Sequence, residues 1–376
     1  MTIAFKTPRL TQNDRRLLFA LAALVPLVQV VALVVSSAEY SYFIDEFYYL
    51  ACSKHLALGY VDHPPLSPWL LAFTRLFLGE SLLGIRLLPF LAAGATVWTV
   101  GLLVDELGGG HFATILATLA FGLSPVFVAV TSFFSMNAFE PLIWTLATLA
   151  IVRIARTGNS RLWVLAGVLI GLGFENKHTI VPYVIALAAG MVVARVIEWP
   201  RAKGGRSAAS LEARRGHSQA EAWTWNTLQV GNAWSLRDGW LWAGAGLAVA
   251  LAAPNVLWQA MNGWPSLEFY RNAQTLKNIP SPPLQSLVTQ VLAMNPITFP
   301  IWSAGLAFLL FARDARALRF AGLTFLALLA MHVASATSRP DRMLAAYPIL
   351  MAAGGVVLER SFSAPSRARR PHRQWP

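Results

Sequence analysis

A single cysteine, Cys52, stands among 376 residues, and Asp and Glu together number only 18. One thiol excludes an internal disulfide framework and leaves the compartment open. Charged residues make up 13% of the chain against 56% hydrophobic, where a soluble domain carries about 25% charged. That shortage excludes an ordinary soluble domain. The sequence also shows no self-similarity with a 20–50-residue period and no inverted repeat of the transporter kind, which sets solenoids and repeat-built transporters aside.

What the chain has instead is apolar runs. Ten of roughly membrane-spanning length fall near 17–35, 82–104, 112–130, 138–155, 162–176, 180–197, 238–258, 296–312, 320–336 and 344–358. The run at 162–176 is short and breaks at Glu175-Asn176-Lys177-His178, so its boundary is the least defined. With the N-terminus in the cytoplasm, all but eight of the 30 Lys and Arg fall in the alternate, cytoplasmic connections, as the positive-inside rule requires. The net charge of +12 is therefore topology, and no nucleic-acid partner is expected. One transmembrane unit over residues 1–360 is expected. It carries a basic, Gly-, Ser- and Ala-rich cytoplasmic loop at 198–237, and a basic cytoplasmic tail follows at 361–376 against anionic headgroups. Val35-Ser36-Ser37-Ala38 resembles a signal-peptidase site, but the apolar run before it exceeds the roughly 7–15 residues of a signal h-region. An uncleaved first span is expected. No C-terminal soluble domain is expected after the tenth run.

The other eight cations are Lys54, Arg75, Arg86, Lys177, Arg271, Lys277, Arg339 and Arg342. They fall on or near the non-cytoplasmic side, together with Asp45, Glu46, Asp62, His63 and Glu140. Ionisable groups at a membrane edge are expensive and point to use. Arg75, Arg86 and Lys277 read as loop charges or snorkelling anchors; the rest read as a charged cavity open to that side. Asp45 and Glu46 also suit the N-terminus of a helix. Tyr48 and Tyr49 read equally as interfacial anchors or substrate contacts. His178 and His332 read as packing or interfacial histidines, and Trp258 and Trp264 as interface markers.

Such a cavity suits sugar transfer from a lipid phosphate. Phosphate leaves readily once Arg, Lys or a metal neutralises its developing charge. No general acid is then required, in contrast to the paired carboxylates of a glycoside hydrolase. The acceptor does require a carboxylate base within hydrogen-bond reach.

Four motifs follow one another in order: Asp45-Glu46-x-Tyr48-Tyr49, His63-Pro64-Pro65-Leu66, Ser135-Met136-Asn137-Ala138-Phe139-Glu140-Pro141-Leu142, and Gly171-Leu172-Gly173-Phe174-Glu175-Asn176-Lys177. Pro254-Asn255-x-x-Trp258-Gln259 and Ala346-Tyr347-Pro348 continue the set. Over residues 10–360 it resembles the bacterial family 39 glycosyltransferases, relatives of the protein O-mannosyltransferases and the lipid A aminoarabinose transferase. The resemblance implies an all-α GT-C-type bundle of about ten transmembrane helices, with juxtamembrane helices in the first outer loop. It implies a mannosyltransferase-like enzyme of the bacterial inner membrane, with its site on the periplasmic side. A polyprenyl-phosphate sugar would be the donor, a lipid, protein or glycan the acceptor, and the displacement inverting. A flippase or transporter of a lipid-linked sugar is the alternative.

The resemblance also distributes roles. Asp45 matches the base, Glu46 completes its pair by orienting the acceptor, and Glu140 is a second candidate carboxylate where relatives carry Asp. Lys177, Arg339 and Arg342 match donor-phosphate contacts, with Tyr48, Tyr49 and His63 against substrate. Asp62 and His63 stand where the aminoarabinose transferase has an acidic-basic pair whose acidic member helps hold a divalent metal. Two departures stand out: residues 259–295 supply no histidine, and the last outer loop reads Thr337-Ser338-Arg339-Pro340-Asp341-Arg342 in place of a Lys-Tyr-Tyr type sequence.

Overall fold

The structure, a computed structural model, describes residues 11–36, 41–212, 235–277, 280–336 and 339–363. In chain order the α-helices are α1 (Gln12–Ser36), α2 (Ile44–Lys54), α3 (Leu66–Leu78), α4 (Leu82–Glu106), α5 (His111–Gly122), α6 (Pro125–Thr131), α7 (Met136–Thr157), α8 (Leu162–Asn176), α9 (Ile180–Glu212), α10 (Gly239–Met261), α11 (Pro265–Asn272), α12 (Pro283–Ala293), α13 (Phe299–Phe311), α14 (Arg319–Ala334), α15 (Asp341–Leu344) and α16 (Pro348–Ser363). Each of the ten apolar runs lies on helix, and α2 and α3 are the two short helices expected in the first outer loop.

Length separates these helices further. Six are long and apolar enough to cross a membrane: α1, α4, α7, α9 as far as Ile197, α10, and α14 together with the 3-10 turn that leads into it, Arg316–Ala334. Two bent pairs raise the number to eight, with α5 and α6 meeting at 62° and α12 and α13 at 92°. Both bends have local causes. Pro125 opens α6 and has no N–H to continue α5. Asn295 turns into the left-handed region at φ 72° just before Pro296. The remaining two runs form α8 and α16, of 15 and 16 residues, short of the roughly 17–25 that span a bilayer. α16 is buried continuously from Pro348 to Val356, so its length is set by its neighbours rather than by lipid.

Outward faces are as apolar as the core. Phe19, Leu27, Val31 and Val34 on α1, Val192, Val193 and Val196 on α9, and Trp242, Val249 and Leu257 on α10 are all exposed. In water such continuous patches drive association; in hydrocarbon they are the natural outer surface. The chain is an integral membrane protein. Inside, Trp144, Phe121, Phe127, Leu103 and Tyr347 are fully enclosed, and α4 and α7 run through the middle of the bundle with α8 and α16 against them. The α8–α10 pair crosses closely, as α13 and α16 do. A Cβ on Gly167 would fall 2.0 Å from the Gly244 carbonyl oxygen, and one on Gly244 would fall 2.2 Å from that of Trp163. Small residues here let two backbones touch, the usual device between membrane helices.

Polar groups gather at the two ends. At one end Glu106 pairs with Arg153 at 2.8 Å and with Arg156, Asp14 pairs with His111 at 2.8 Å, and Glu359 accepts from the Gly110 amide at 2.6 Å. That end carries the connections read as cytoplasmic. The expected loop at 198–237 begins as helix, because α9 continues to Glu212; residues 213–234, and the tail from 364 on, lie outside the described residues. The opposite end holds the first, second and last outer loops.

Candidate active site

Asp45 and Glu46 occupy the first turn of α2, where the free N–H groups favour acids. Adjacent helical positions point about 100° apart, and here the two carboxylates part company. Asp45 is exposed at the outer end. Glu46 is fully enclosed: its Oε1 and Oε2 take the Arg86 guanidinium at 2.8 and 2.7 Å, Oε1 also accepts from the Phe134 amide at 2.9 Å, and Oε2 from that of Phe43 at 2.8 Å. Every lone-pair direction of Glu46 is used by protein. The structure therefore places it as the tie between α2, α4 and the loop before α7, not among groups that could meet an acceptor. Arg86, read from sequence as an anchor or loop charge, is its buried partner.

Tyr48 and Tyr49 diverge in the same way. Tyr48 donates to Asp62 Oδ1 at 2.7 Å. Tyr49 is buried, accepts from the Met136 amide at 3.2 Å, and stacks on the His63 ring at 4.7 Å. It is a wall of the site, neither an interfacial anchor nor a free substrate contact. His63 is 1% exposed and enclosed by Tyr48, Tyr49 and Tyr60. Its Nδ1 donates to the Pro64 carbonyl at 2.9 Å, while Nε2 has no partner and lies 3.9 Å from Asp62. Burial outweighs the Asp62 charge and the Pro64 hydrogen bond and holds the imidazole below the usual His range.

The third and fourth motifs of the sequence set meet across helices. Lys177, at the end of α8, donates to Glu140 on α7 at 2.6 Å, and Thr179 donates to the other Glu140 oxygen. Glu140 and Lys177 are both buried. With both oxygens engaged, Glu140 orients Lys177; it is not a free second base. The last outer loop contributes Arg339, bound in bidentate fashion to Asp341 at 3.0 and 3.2 Å, and Arg342.

These groups feel one another. Burial acts against the Arg339 charge, but Asp341, with Asp45 and Glu140, holds the guanidinium above its ordinary value. Burial alone would raise the Asp341 carboxyl; Lys177, Arg339 and Arg342 hold it below the usual range. Burial and the neighbouring Arg339 push Arg342 down against the pull of Asp341, Glu140 and Tyr270. The outer loops thus converge on one charged cluster. Asp45 is its exposed carboxylate, Lys177, Arg339 and Arg342 are its cations, and Glu140 and Asp341 hold those cations in place.

Asp341 and Tyr270 carry no role in the sequence reading. Asp341 sits in a stretch where only the arginines stood out. Tyr270, on α11, is reached by the charges of Asp62 and Arg342 and is pushed up to about 12, chiefly by burial. Its link to His178 spans 92 positions, and no local pattern marks such a contact. For a metal, Asp62 and His63 provide two donors, and among the described residues no group of three or more His, Cys, Asp or Glu gathers. Asp62 Oδ1 is already occupied by Tyr48. Two donors, one of them already engaged, do not fit a metal ion.

Comparison with known proteins agrees with the resemblance drawn from the motifs. Residues 62–203 match the family described as dolichyl-phosphate-mannose-protein mannosyltransferase. Over 129 residues, 32% of this chain, the sequence is 30% identical to the undecaprenyl phosphate-alpha-4-amino-4-deoxy-L-arabinose arabinosyl transferase of Pseudomonas savastanoi pv. phaseolicola. The chain spans only about a quarter of that relative, 24%. Among solved structures it is similar to ArnT from Cupriavidus metallidurans bound to undecaprenyl phosphate, with a TM-score of 0.64 and 14% identity over 93% of this chain and 61% of that one. The Archaeoglobus fulgidus oligosaccharyltransferase is similar too, with a TM-score of 0.56 and 14% identity over 95% of this chain and 53% of that one. The fold of this chain is that of the GT-C membrane glycosyltransferases, and its segment 62–203 carries the sequence pattern of the dolichyl-phosphate-mannose-protein mannosyltransferases.

Proposed function

We propose that this chain is a membrane glycosyltransferase that moves a sugar from a polyprenyl-phosphate donor to an acceptor at the non-cytoplasmic face of a bacterial inner membrane. The observation that carries the reading is an exposed carboxylate, Asp45, whose charge reaches Arg339 in a cluster with Lys177 and Arg342 at one end of the bundle. A polyprenyl tail would lie along the apolar outer faces, which brings its phosphate to the level of the outer loops. Lys177, oriented by Glu140, and Arg339 and Arg342, spaced by Asp341, would bind that phosphate. Asp45 would take the proton of an acceptor hydroxyl or amine as the nucleophile attacks the anomeric carbon. The bond from that carbon to the phosphate oxygen breaks, its electron pair stays on the phosphate, and the cations neutralise the new charge. One displacement inverts the configuration. Binding of undecaprenyl phosphate by the similar ArnT supports the donor class.

The test is to incubate the purified protein with polyprenyl-phosphate hexose, pentose and aminosugar donors and to follow donor consumption by mass spectrometry. Release of free polyprenyl phosphate with one donor is the expected result. Consumption of none, with transbilayer movement of one, overturns the reading in favour of a flippase. The clustering of ionisable groups at the bundle ends rather than along a mid-membrane path argues for the transferase.

A further inference from the structure

His178 joins three elements by a chain of hydrogen bonds that the transfer chemistry above leaves unused. The Tyr270 hydroxyl on α11 lies 2.8 Å from its Nδ1, and its Nε2 lies 3.0 Å from Asn255 Oδ1 on α10. Asn255 in turn donates through Nδ2 to the Leu58 carbonyl in the first outer loop at 3.0 Å. The far end of the chain assigns every proton. A carbonyl oxygen only accepts, so Asn255 must turn its NH2 to Leu58 and its Oδ1 to the ring. That oxygen also only accepts, so Nε2 carries the ring proton. A neutral ring then presents a lone pair at Nδ1, and Tyr270 donates to it. Burial holds the imidazole below the usual His range, outweighing the Asn255 hydrogen bond, and nearby His63 acts in the same sense; the ring is neutral near pH 7.

The surroundings leave little slack. Asn255 is wholly buried, and Gly59, next to Leu58, has no room for a side chain. A Cβ there would fall 2.4 Å from the Trp258 ring and 2.7 Å from Asn255 Nδ2. The loop is pressed onto α10 at the point where the chain of bonds ends. Tyr270, at the other end, is the residue to which the charges of both Asp62 and Arg342 reach.

We infer that His178 is a positioning residue. It fixes Tyr270 and, through Asn255, the backbone of the loop that carries Asp62, and so sets the spacing between the first-loop and last-loop sides of the site. The inference rests on the reading of that site as a sugar-transfer site.

Three variants separate its two arms. His178→Gln keeps an N–H for Asn255 but offers no acceptor to Tyr270. His178→Asn keeps the acceptor for Tyr270 but is too short for Asn255. Tyr270→Phe removes the hydroxyl alone. In the full chain in nanodiscs, with the donor that the wild type consumes, His178→Gln and Tyr270→Phe should each lower kcat/KM roughly tenfold to a hundredfold, the scale of a misplaced reacting group. The double variant should be no worse than either, because both remove one interaction. His178→Asn should retain more activity than His178→Gln, yet exchange the amides of residues 58–63 faster by hydrogen–deuterium exchange. Losses that multiply in the double variant, or unchanged exchange in His178→Asn, overturn the inference. A wild type that transfers no sugar from any donor defeats the functional reading instead, and the exchange measurement still decides the clamp.

Discussion

Two acids side by side in α2 meet opposite fates, and the difference is a matter of partners. Glu46 has four hydrogen bonds and a buried guanidinium, whereas the neighbouring Asp45 is exposed to the cluster. Asp45→Asn should therefore abolish transfer, by roughly the 10²–10⁴ that a general base supplies, while membrane insertion and the thermal midpoint stay as in the wild type. Full activity in that variant would sink the assignment. Glu46→Gln should do the reverse. Leaving Arg86 buried without its counter-charge costs about 3–5 kcal/mol, seen as a lower unfolding midpoint in detergent, with activity falling only as far as the folded fraction falls. The sequence motif marks both acids and cannot separate them. Arg86 lies 40 positions away on another helix, where a lone arginine near a span end looks like any snorkelling anchor.

At the scale of helices, hydropathy alone located the ten apolar runs, because lipid demands unbroken apolar stretches and little else competes for that pattern. What hydropathy leaves unwritten is direction. Pro125 and Pro296 are visible as breaks, but the 62° and 92° angles that the chain takes there are not written in the hydropathy pattern. The α8–α10 crossing is another case, since Gly167 and Gly244 are ordinary glycines until the two helices are brought together. Gly167→Ala should force the backbones apart and destabilise the bundle by about 1–3 kcal/mol, the usual cost of overpacking. The displacement should carry through α8 to Lys177, so turnover should fall further than the folded fraction does. A wild-type unfolding midpoint in Gly167→Ala would show that the crossing is looser than described.

For the whole molecule, charge at the outer end couples stability to pH. His63 and His178 are both held below the ordinary His value by burial, so the unfolded chain takes up protons first as pH falls through about 6.5. Stability contributed by the neutral rings is then complete above that pH and declines on acidification. Asp341, held low by the Lys177, Arg339 and Arg342 cations against burial, acts in the same sense further down. Its contribution is present above about pH 3.9, the unfolded value, and is lost as pH falls through its depressed folded value. The thermal midpoint should drop between about pH 7 and 5, and a flat profile over that interval would count against the neutral rings. The site as a set of charges was legible in the sequence, through the carboxylates that share the non-cytoplasmic side with the eight remaining cations. Its internal pairing was not, because Glu140 with Lys177 and Tyr270 with His178 depend on helices meeting across 37 and 92 positions.

The right angle between α12 and α13 bears on how deep the protein sits. The pair is not one straight span, and α12 turns Leu284, Leu287, Val288 and Leu292 outward. A helix with such an apolar face suits a float at the acyl boundary, a waterline for the loops beside it. Ser281, just ahead of α12, is bonded to the end of α14 through the Ala336 carbonyl at 2.9 Å, so the float is moored close to the loop that carries Arg339 and Arg342. If the chain acts as proposed, bilayer thickness controls it: with acyl chains too short or too long, the float and the spans disagree about height. Turnover should peak at one chain length in reconstituted vesicles, even with a soluble acceptor in excess.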